Sequence, residues 1–370
     1  MDRTKTGLYF HVPFCQSKCP YCDFYSLTDK GLKEGFVDAL CHEIRTFDRI
    51  GEFVGRGSVT EVDTVYFGGG TPSLLTPAQL GGILSCVREN FTVSEDAEIT
   101  VECNPSSPAL GEFLGSAASF GVNRISLGMQ SSSGNERKRL GRKGSAQDVL
   151  NAVSFARKAG IDNISLDVMV GVPDSSIETL KDSLSFVTEL GVPHVSAYML
   201  KIEEGTFYHK NIEKLNLPDE DETADMYLFM SEYLREKGYL HYEISNFCKE
   251  GFYSRHNMKY WEMAPYIGFG PSAHSFYGGK RFYFPRDTEG FIRGGRAVYD
   301  GTGGDEEEGL MLSLRTYKGI SLENRNKKFI ELTEKFVSTG LGEIRDGCFV
   351  LTPSGMLVSN SIILMLTEAI

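Results

Sequence analysis

The sequence predicts an α/β fold: a closed or partly open barrel of parallel strands, followed by a small α+β domain. Three observations support this prediction. Strand-like and helix-like segments alternate between Leu8 and Leu200, and the pattern changes to helix, β-hairpin and helix roughly from residue 306 onward. In addition, polar residues stand where several of the predicted strands end. Functional groups of parallel barrels gather at these strand ends, so we expect the site there.

The first part of the chain reads as repeated strand-then-helix units. Its strands are short runs of branched and aromatic residues, and its helices repeat apolar residues at helical spacing. Thr76 before Pro77 is typical of a helix N-terminus, and Gly121, Gly160 and Gly191 each follow a helical segment. Strands alternating with helices of this length favour parallel pairing through right-handed crossovers. The predicted strands are Leu8–Val12, Val62–Phe67, Ile99–Val101, Arg124–Met129, Ile164–Val170 and His194–Leu200, and the predicted helices are Phe36–Ile50, Pro77–Phe91, Leu110–Phe120, Ala146–Ala159 and Ile177–Leu190.

The second part is less regular. We expect a helix over Asp219–Lys237, an extended strand over Tyr242–Phe247 and a helix that begins in the acidic run Asp305–Glu308. The C-terminal segment then predicts a helix over Asn326–Thr339, a hairpin that turns at Asp346-Gly347, and a last helix from about Pro353. This order resembles a winged-helix module. We therefore predict two domains, residues 1–285 for the barrel with its site and residues 286–370 for the winged-helix-like domain.

Composition narrows the class of protein. The 370 residues are 41% hydrophobic and 24% charged, which is typical of a soluble globular protein. A net charge of -12 argues against nucleic-acid binding, which needs a basic surface. No apolar run approaches the ~20 residues of a membrane span, and the first residues lack the apolar core of a signal peptide. We expect a cytoplasmic protein without an integral membrane segment, whose eight cysteines serve metal binding rather than disulfides.

Three cysteines, Cys15, Cys19 and Cys22, lie within eight residues with the spacing C-x3-C-x2-C. Three thiolates on one loop suit three irons of a cubane cluster, which ordinarily takes four cysteines, so one iron stays open for chemistry. The alternative is a zinc knuckle, but zinc sites usually have four protein ligands, often in two close pairs. The remaining cysteines are scattered singly: Cys41, Cys86, Cys103, Cys248 and Cys348. The spacing therefore favours a [4Fe-4S] cluster.

Polar and glycine residues at the ends of predicted strands form the candidate ligand site. Gly68–Pro72 closes one strand, and such a turn either lets the backbone approach a ligand or merely joins strand to helix. Glu102 and Asp167 close two others and can accept hydrogen bonds from an ammonium group or from hydroxyls. Gln130 ends a further strand, and Arg142, in a helix-like segment, suits a carboxylate. For these side chains the alternative is a solvated loop position.

The cysteine spacing resembles the signature of the radical S-adenosylmethionine (SAM) superfamily. That resemblance implies that SAM chelates the open iron through its amino and carboxylate groups, and that the reduced cluster can cleave it to a 5′-deoxyadenosyl radical. It also implies a partial (β/α)6 TIM-like barrel, rather than a closed barrel of eight strands. The motifs Tyr66-Phe-Gly-Gly-Gly-Thr-Pro72, Val101-Glu-Cys-Asn-Pro105 and Ile125-Ser-Leu-Gly-Met-Gln130 sharpen the resemblance to the oxygen-independent coproporphyrinogen III oxidase-like group. Within it the chain is most similar to the heme chaperone branch, HemW.

The resemblance assigns residues and separates two functions. Dehydrogenases of the group carry a further cysteine two residues after the third ligand, where this chain has Phe24, which argues against coproporphyrinogen dehydrogenase activity. The preferred reading is a heme chaperone that binds heme and passes it to a recipient protein. The alternative is a coproporphyrinogen III oxidase that decarboxylates propionates by radical chemistry, and a zinc-stabilised interaction module is a third. By position, SAM contacts fall on Tyr9, Tyr21, Gly69, Gly70, Thr71, Glu102, Gln130, Arg142 and Asp167.

A second motif points to heme. His256-Asn-Met-Lys-Tyr-Trp261 matches the H-N-x-x-Y-W segment associated with heme handling in that branch, which implies His256 as an axial heme ligand. The alternative is an ordinary buried histidine among aromatic residues. His274 is a candidate for lining the active cavity instead. The expected partners are heme or a porphyrin and a heme-accepting protein, and the resemblance allows a homodimer.

Overall fold

Six parallel strands form the centre of the protein. The computed structural model describes residues 5–29, 31–55 and 57–370. The six strands pair in chain order within one sheet of twelve strands, and every pairing among the six is parallel. This confirms the predicted α/β fold with a parallel six-stranded partial barrel. The strands are β1 (Thr6–Val12), β2 (Val62–Gly69), β3 (Val93–Cys103), β4 (Arg124–Gln130), β5 (Asn163–Val170) and β6 (His194–Met199).

Helices connect these strands. Thr76 caps the second helix through a capping box with Gln79, as predicted, and Gly121, Gly160 and Gly191 follow helices with positive φ. A short helix, Gly134–Arg139, was not predicted, whereas the next helix begins at Ala146 as predicted. The helices are α1 (Lys33–Thr46), α2 (Pro77–Asn90), α3 (Leu110–Ser119), α4 (Gly134–Arg139), α5 (Ala146–Lys158) and α6 (Ile177–Glu189).

Short strands extend the sheet at both sides. The predicted single strand over Tyr242–Phe247 is wrong, since two antiparallel strands reverse direction there. The carboxylate of buried Glu243 accepts a hydrogen bond from the Ser245 amide at 2.9 Å and thereby stabilises the turn. On the β6 side lie β8 (Asn246–Cys248) and β7 (Leu240–Glu243), and on the β1 side follow β9 (Tyr266–Phe269), β10 (His274–Tyr277), β11 (Lys280–Tyr283) and β12 (Val298–Thr302). The helices of this region are α7 (Phe207–Lys210), α8 (Glu220–Glu236), α9 (Arg255–Trp261) and α10 (Thr288–Ile292).

The C-terminal region has the predicted order of helix, hairpin and helix. The hairpin turns at Asp346-Gly347, where both residues have positive φ, as a two-residue turn between twisted strands requires. A helix begins at Glu306 in the acidic run, as predicted. The last helical stretch is interrupted at Val358. The predicted domain boundary at residue 285 falls between β11 and β12 of the large sheet and stays a prediction. The elements are α11 (Glu306–Ser313), β13 (Ile320–Ser321), α12 (Lys327–Ser338), β14 (Gly342–Arg345), β15 (Cys348–Leu351), α13 (Pro353–Leu357) and α14 (Ser359–Thr367).

One apolar core runs through the barrel and the C-terminal region. Phe329, Phe336 and Phe349 belong to the same buried cluster as Met226 and Tyr227 of α8. The helices pack between the sheet and solvent, so the polar strand ends remain available for a site. Among the described residues, none of the helices combines the length and the apolar character needed to cross a bilayer.

Candidate functional site

The three-cysteine loop leaves β1 and returns to it. Cys15 donates its amide to the Leu27 carbonyl at 2.8 Å, and Leu27 donates to the Pro13 carbonyl at 2.6 Å. The loop is therefore closed at its base, while its thiols stay half-buried at the mouth of the barrel. Thr71, from the turn after β2, lies with its hydroxyl 3.6 Å from the Cys15 sulfur.

The three thiols lie close enough to affect one another. Burial raises the pKa of Cys22, and the nearby Cys19 and Cys15 raise it further. Within the described residues, no group of three or more His, Cys, Asp or Glu side chains is arranged to hold a single metal ion. A zinc ion needs its ligands to converge on one point, whereas cysteines of a cubane bind separate irons. The loop thus gathers three half-buried thiols at the mouth of the barrel.

Two glycines let the turn after β2 pack against the cysteine loop. Gly69 has φ +101°, and a Cβ there would lie 2.5 Å from the His11 ring. A Cβ on Gly70 would lie 2.7 Å from the carbonyl oxygens of Val12 and Phe14. Gly70 requires glycine because its Cβ would collide with backbone oxygens, and Gly69 favours glycine because its φ is positive. The predicted approach of this turn to a ligand stays a prediction.

A carboxylate from β3 holds the same turn. Glu102 accepts hydrogen bonds from the Tyr66 hydroxyl at 2.8 Å and from the Gly69 amide at 3.2 Å. Burial raises the pKa of Glu102 to about 7, and the nearby charge of Asp167 adds to the rise. A cation bound beside it would favour the ionised form and lower that pKa again.

Asp167 lies in β5, two strands away from Glu102 in the sheet. Its carboxylate accepts a hydrogen bond from the Ser126 hydroxyl at 2.9 Å. Burial raises the pKa of Asp167 to about 6, despite that bond. Burial opposes the ionisation of both carboxyl groups, and a nearby positive charge would favour it. A bound ammonium or sulfonium group would therefore be stabilised beside Glu102 and Asp167.

Tyr9 forms the floor of this region. Its hydroxyl lies 3.2 Å from Nδ1 of His11, and Nε2 of His11 lies 2.8 Å from the Tyr25 carbonyl. Since a carbonyl only accepts, Nε2 carries the proton and Nδ1 accepts from Tyr9. Burial lowers the pKa of His11 to about 4, so the ring is neutral. The sequence motifs do not single out His11, although its two-residue spacing from Tyr9 on a strand places both side chains on one face.

Gln130, Arg142 and Tyr21 lie on the other side of the mouth. Gln130 ends β4 in the left-handed region with φ 70°. Arg142 lies between α4 and α5, not in a helix, and its guanidinium donates to the Gly128 carbonyl. Burial raises the pKa of Tyr21, Cys19 raises it further, and the positive charge of Arg142 opposes the rise. Glu102, Gln130 and the glycine turn thus lie at or next to carboxyl ends of strands, whereas Tyr9 and Asp167 lie inside β1 and β5 and Arg142 lies between two helices. Their assignment as SAM contacts stays a prediction.

His256 lies below this site, without contact with solvent. Its exposed fraction is 0%, its Nδ1 lies 2.8 Å from the Thr64 hydroxyl and its Nε2 lies 2.9 Å from the Tyr260 hydroxyl. Its ring stacks on Tyr66 with centroids 5.2 Å apart. Both ring nitrogens are engaged, so heme iron could bind His256 only after one of these hydrogen bonds breaks and the surrounding core opens.

A pocket beside the cysteine loop opens to solvent. It has a volume of about 540 Å³ and is lined by Lys18, Cys19, Cys22, Glu204 and Phe207, among others. Phe24 and Phe207 are large apolar side chains near this opening, with exposed fractions of 68% and 63%. The mouth of the barrel is therefore open to solvent and partly lined by apolar side chains.

Comparison with known proteins agrees with this geometry. The sequence profile of the radical SAM superfamily matches residues 9–187. The heme chaperone HemW of Lactococcus lactis is 32% identical over 354 residues, which cover 93% of this chain and 90% of that protein. HemW of Escherichia coli is 38% identical, covering 78% of this chain and 76% of that protein. A mouse mitochondrial protein named for its radical S-adenosyl methionine domain is 35% identical, with coverage of 84% and 65%.

A solved structure shares the fold of the whole chain. It is the coproporphyrinogen III oxidase HemN from Escherichia coli, described as a radical SAM enzyme. It matches 98% of this chain and 90% of its own with a TM-score of 0.78 at 20% sequence identity. At this identity the likeness establishes the architecture alone.

Proposed function

The chain belongs to the HemW family of the radical SAM superfamily, and on that premise we propose that it is a heme chaperone, which binds heme and passes it to a recipient protein in the cytoplasm. The observation that carries the proposal is the 32% identity to a heme chaperone over 90% of that protein's length. Exposed Phe24, which replaces the additional cysteine of the dehydrogenases, supports it. Free cysteines are consistent with a reducing compartment.

The superfamily implies a [4Fe-4S] cluster, and the cysteine loop fits one. We propose Cys15, Cys19 and Cys22 as its ligands, because they have the C-x3-C-x2-C spacing and their thiols are half-buried at the mouth of the barrel. The hydrogen bonds that close the loop at Leu27 hold the ligands in place. When bound, the cluster supplies an iron with an open coordination position for SAM.

The superfamily also implies SAM, and the strand ends offer groups that match its charges. Glu102 and Asp167 accept hydrogen bonds and carry negative charge when ionised, which suits the ammonium and sulfonium groups and the ribose hydroxyls. Gly69 and Gly70 let the turn pack closely against the chain that leads into the cysteine loop, and Arg142, whose guanidinium donates to the Gly128 carbonyl, is our candidate for pairing with the carboxylate. Tyr9, Tyr21, Thr71 and Gln130 complete the proposed lining.

Two measurements on anaerobically purified protein test the function. Heme titrated into the cluster-loaded protein should give a saturable change in the Soret absorption, and heme-loaded protein should transfer heme to an acceptor apoprotein. With reductant, SAM and coproporphyrinogen III, no protoporphyrinogen should form. Formation of that product at enzymatic rates, or absence of saturable heme binding, contradicts the proposal.

A further inference from the structure

We infer that His274, at the start of β10, is the axial ligand of the heme that this chaperone carries. The inference rests on the proposed function and deepens it, because it names the heme-binding residue. It differs from the assignment that the His256 motif implies.

Four of the seven histidines have both ring nitrogens in hydrogen-bonding contact. An imidazole so engaged offers no lone pair to iron until a contact breaks. These four are His11, His194, His241 and His256. The other three, His42, His209 and His274, are exposed.

His274 has the surroundings of a metal-binding imidazole. Its side chain is 60% exposed, and the Asp300 carboxylate lies 3.9 Å from Nδ1. At 3.9 Å the carboxylate is beyond hydrogen-bonding distance, but its negative charge lies on the Nδ1 side of the ring and leaves the Nε2 side for a metal. The Tyr283 ring stacks on the imidazole with centroids 5.1 Å apart and planes at 19°, which further fixes its orientation. Burial also lowers the pKa of His274, which favours the neutral, ligating form.

The register of the sheet adds apolar surface to this imidazole. His274 pairs with Tyr283, and Tyr283 pairs with Val298, so the three side chains form one row on the same face. Val298 is 42% exposed. A tyrosine ring and an exposed valine beside a free imidazole nitrogen suit the flat, apolar face of a porphyrin.

Positive charge lies close to His274, as the two propionates of heme require. Both His274 and His11 are affected electrostatically by Arg286. Arg286 is 59% exposed and pairs with Asp23 at 3.3 Å, and exposed pairs of this kind contribute little, so a propionate can replace Asp23. The segment from Lys280 to Arg296 has five basic and two acidic residues in a chain with net charge -12. Arg281 also influences His274, although it is paired with Glu308.

The same contacts place the heme beside the cysteine loop. Asp23 pairs with Arg286, and the Tyr25 hydroxyl accepts a hydrogen bond from the Thr288 amide at 2.9 Å. Phe24 lies between these two anchored residues and is 68% exposed. Its phenyl ring is therefore available to a large apolar ligand next to the proposed cluster, at the position where the dehydrogenases have cysteine.

Heme titration of His274→Gly and His42→Gly variants tests the inference in the cluster-loaded, full-length protein. His42 is a matched control, because it is 53% exposed and also lies beside an aspartate, Asp48. His274→Gly should lower heme affinity by at least tenfold and shift the Soret band, and added imidazole should restore the wild-type spectrum. His42→Gly should match the wild type.

The possible results separate the inference from the proposed function. If wild type binds heme and His274→Gly binds it with unchanged affinity and spectrum, the His274 inference falls and the heme chaperone proposal stands. Loss of affinity without imidazole rescue, or equal losses in both variants, also overturns ligation by His274. Absence of heme binding by the wild type overturns both.

Discussion

The Tyr66 hydroxyl donates a hydrogen bond to Oε1 of Glu102 at 2.8 Å, while the other carboxylate oxygen accepts from the Gly69 amide. One side chain therefore connects the end of β3 to the glycine turn after β2. Because burial raises the pKa of Glu102 to about 7 and these bonds oppose the rise, its ionisation near neutral pH depends on Tyr66. This relationship links the geometry of the proposed SAM site to pH.

SAM binding should strengthen as pH rises through about 7, where Glu102 ionises. Tyr66→Phe removes a bond that stabilises the carboxylate, so the carboxyl should ionise roughly one pH unit higher and SAM affinity at pH 7 should fall. The measurement is the SAM dissociation constant by isothermal titration calorimetry between pH 6 and 8.5. Glu102→Gln should bind more weakly and should lack this pH dependence. A Tyr66→Phe profile that coincides with the wild type would refute the coupling.

Substitution of Gly70 tests how closely the turn after β2 packs against the backbone of residues Val12 and Phe14. Gly70→Ala places a Cβ 2.7 Å from two backbone oxygens, which cannot move aside as a flexible side chain can. We expect a loss of roughly 2 kcal/mol or more in the free energy of unfolding, as for other forced overpacking. Urea unfolding of the apoprotein measures it.

The matched control is Gly82→Ala in α2, where an added Cβ meets nothing within 4 Å. Alanine is the better helix former, so this exchange should be neutral or stabilising by up to about 1 kcal/mol. Equal destabilisation by the two exchanges would show that the close approach at Gly70 is unimportant.

The cysteine loop can be tested by metal content. Cys19→Ser should reduce iron and acid-labile sulfide to a small fraction of the wild-type amount after anaerobic reconstitution, because the thiolate is the iron ligand. Cys348→Ser is the matched control, since Cys348 is also half-buried and lies in β15 of the C-terminal region. Stoichiometric iron in Cys19→Ser, or zinc in the wild type, would exclude the proposed cluster.

Much of the barrel was predictable because its signals are local. The helix start at Thr76 and the stops at Gly121, Gly160 and Gly191 depend on residues within one turn, and the structure confirms them. Glu102, one residue before the end of β3, fits the rule that polar residues close parallel strands, whereas Asp167 was wrongly placed at a strand end, since β5 continues for three residues beyond it. The rule needs no knowledge of which strands are neighbours.

Long-range contacts were not predictable from these signals. Tyr66 acts through Glu102, 36 residues later, and His256 contacts Thr64 across 192 residues. The strand predicted over Tyr242–Phe247 was wrong because buried Glu243 turns the chain through its own carboxylate, while the pattern of apolar residues continues through the turn. The exposed row at His274 depends on strand register, which the glycine-rich sequence around it does not reveal.

Burial of His256 predicts a pH dependence of stability. Burial lowers the pKa of His256 to about 3, with the charge of Lys259 contributing, against an ordinary value of 6.5. Because the folded state holds the ring neutral, its contribution to stability is present above pH 6.5 and is lost as pH falls toward the folded pKa, by up to about 1.4 kcal/mol per pH unit. Buried carboxyls with raised pKa values act in the opposite direction, so the comparison must be between variants. His256→Gln should reduce the fall in unfolding free energy between pH 6.5 and 4.5 relative to the wild type, whereas His209→Gln, at an exposed position, should not. Parallel stability profiles for the wild type and His256→Gln would mean that His256 is solvated in solution, and the objection to His256 as a heme ligand would then disappear.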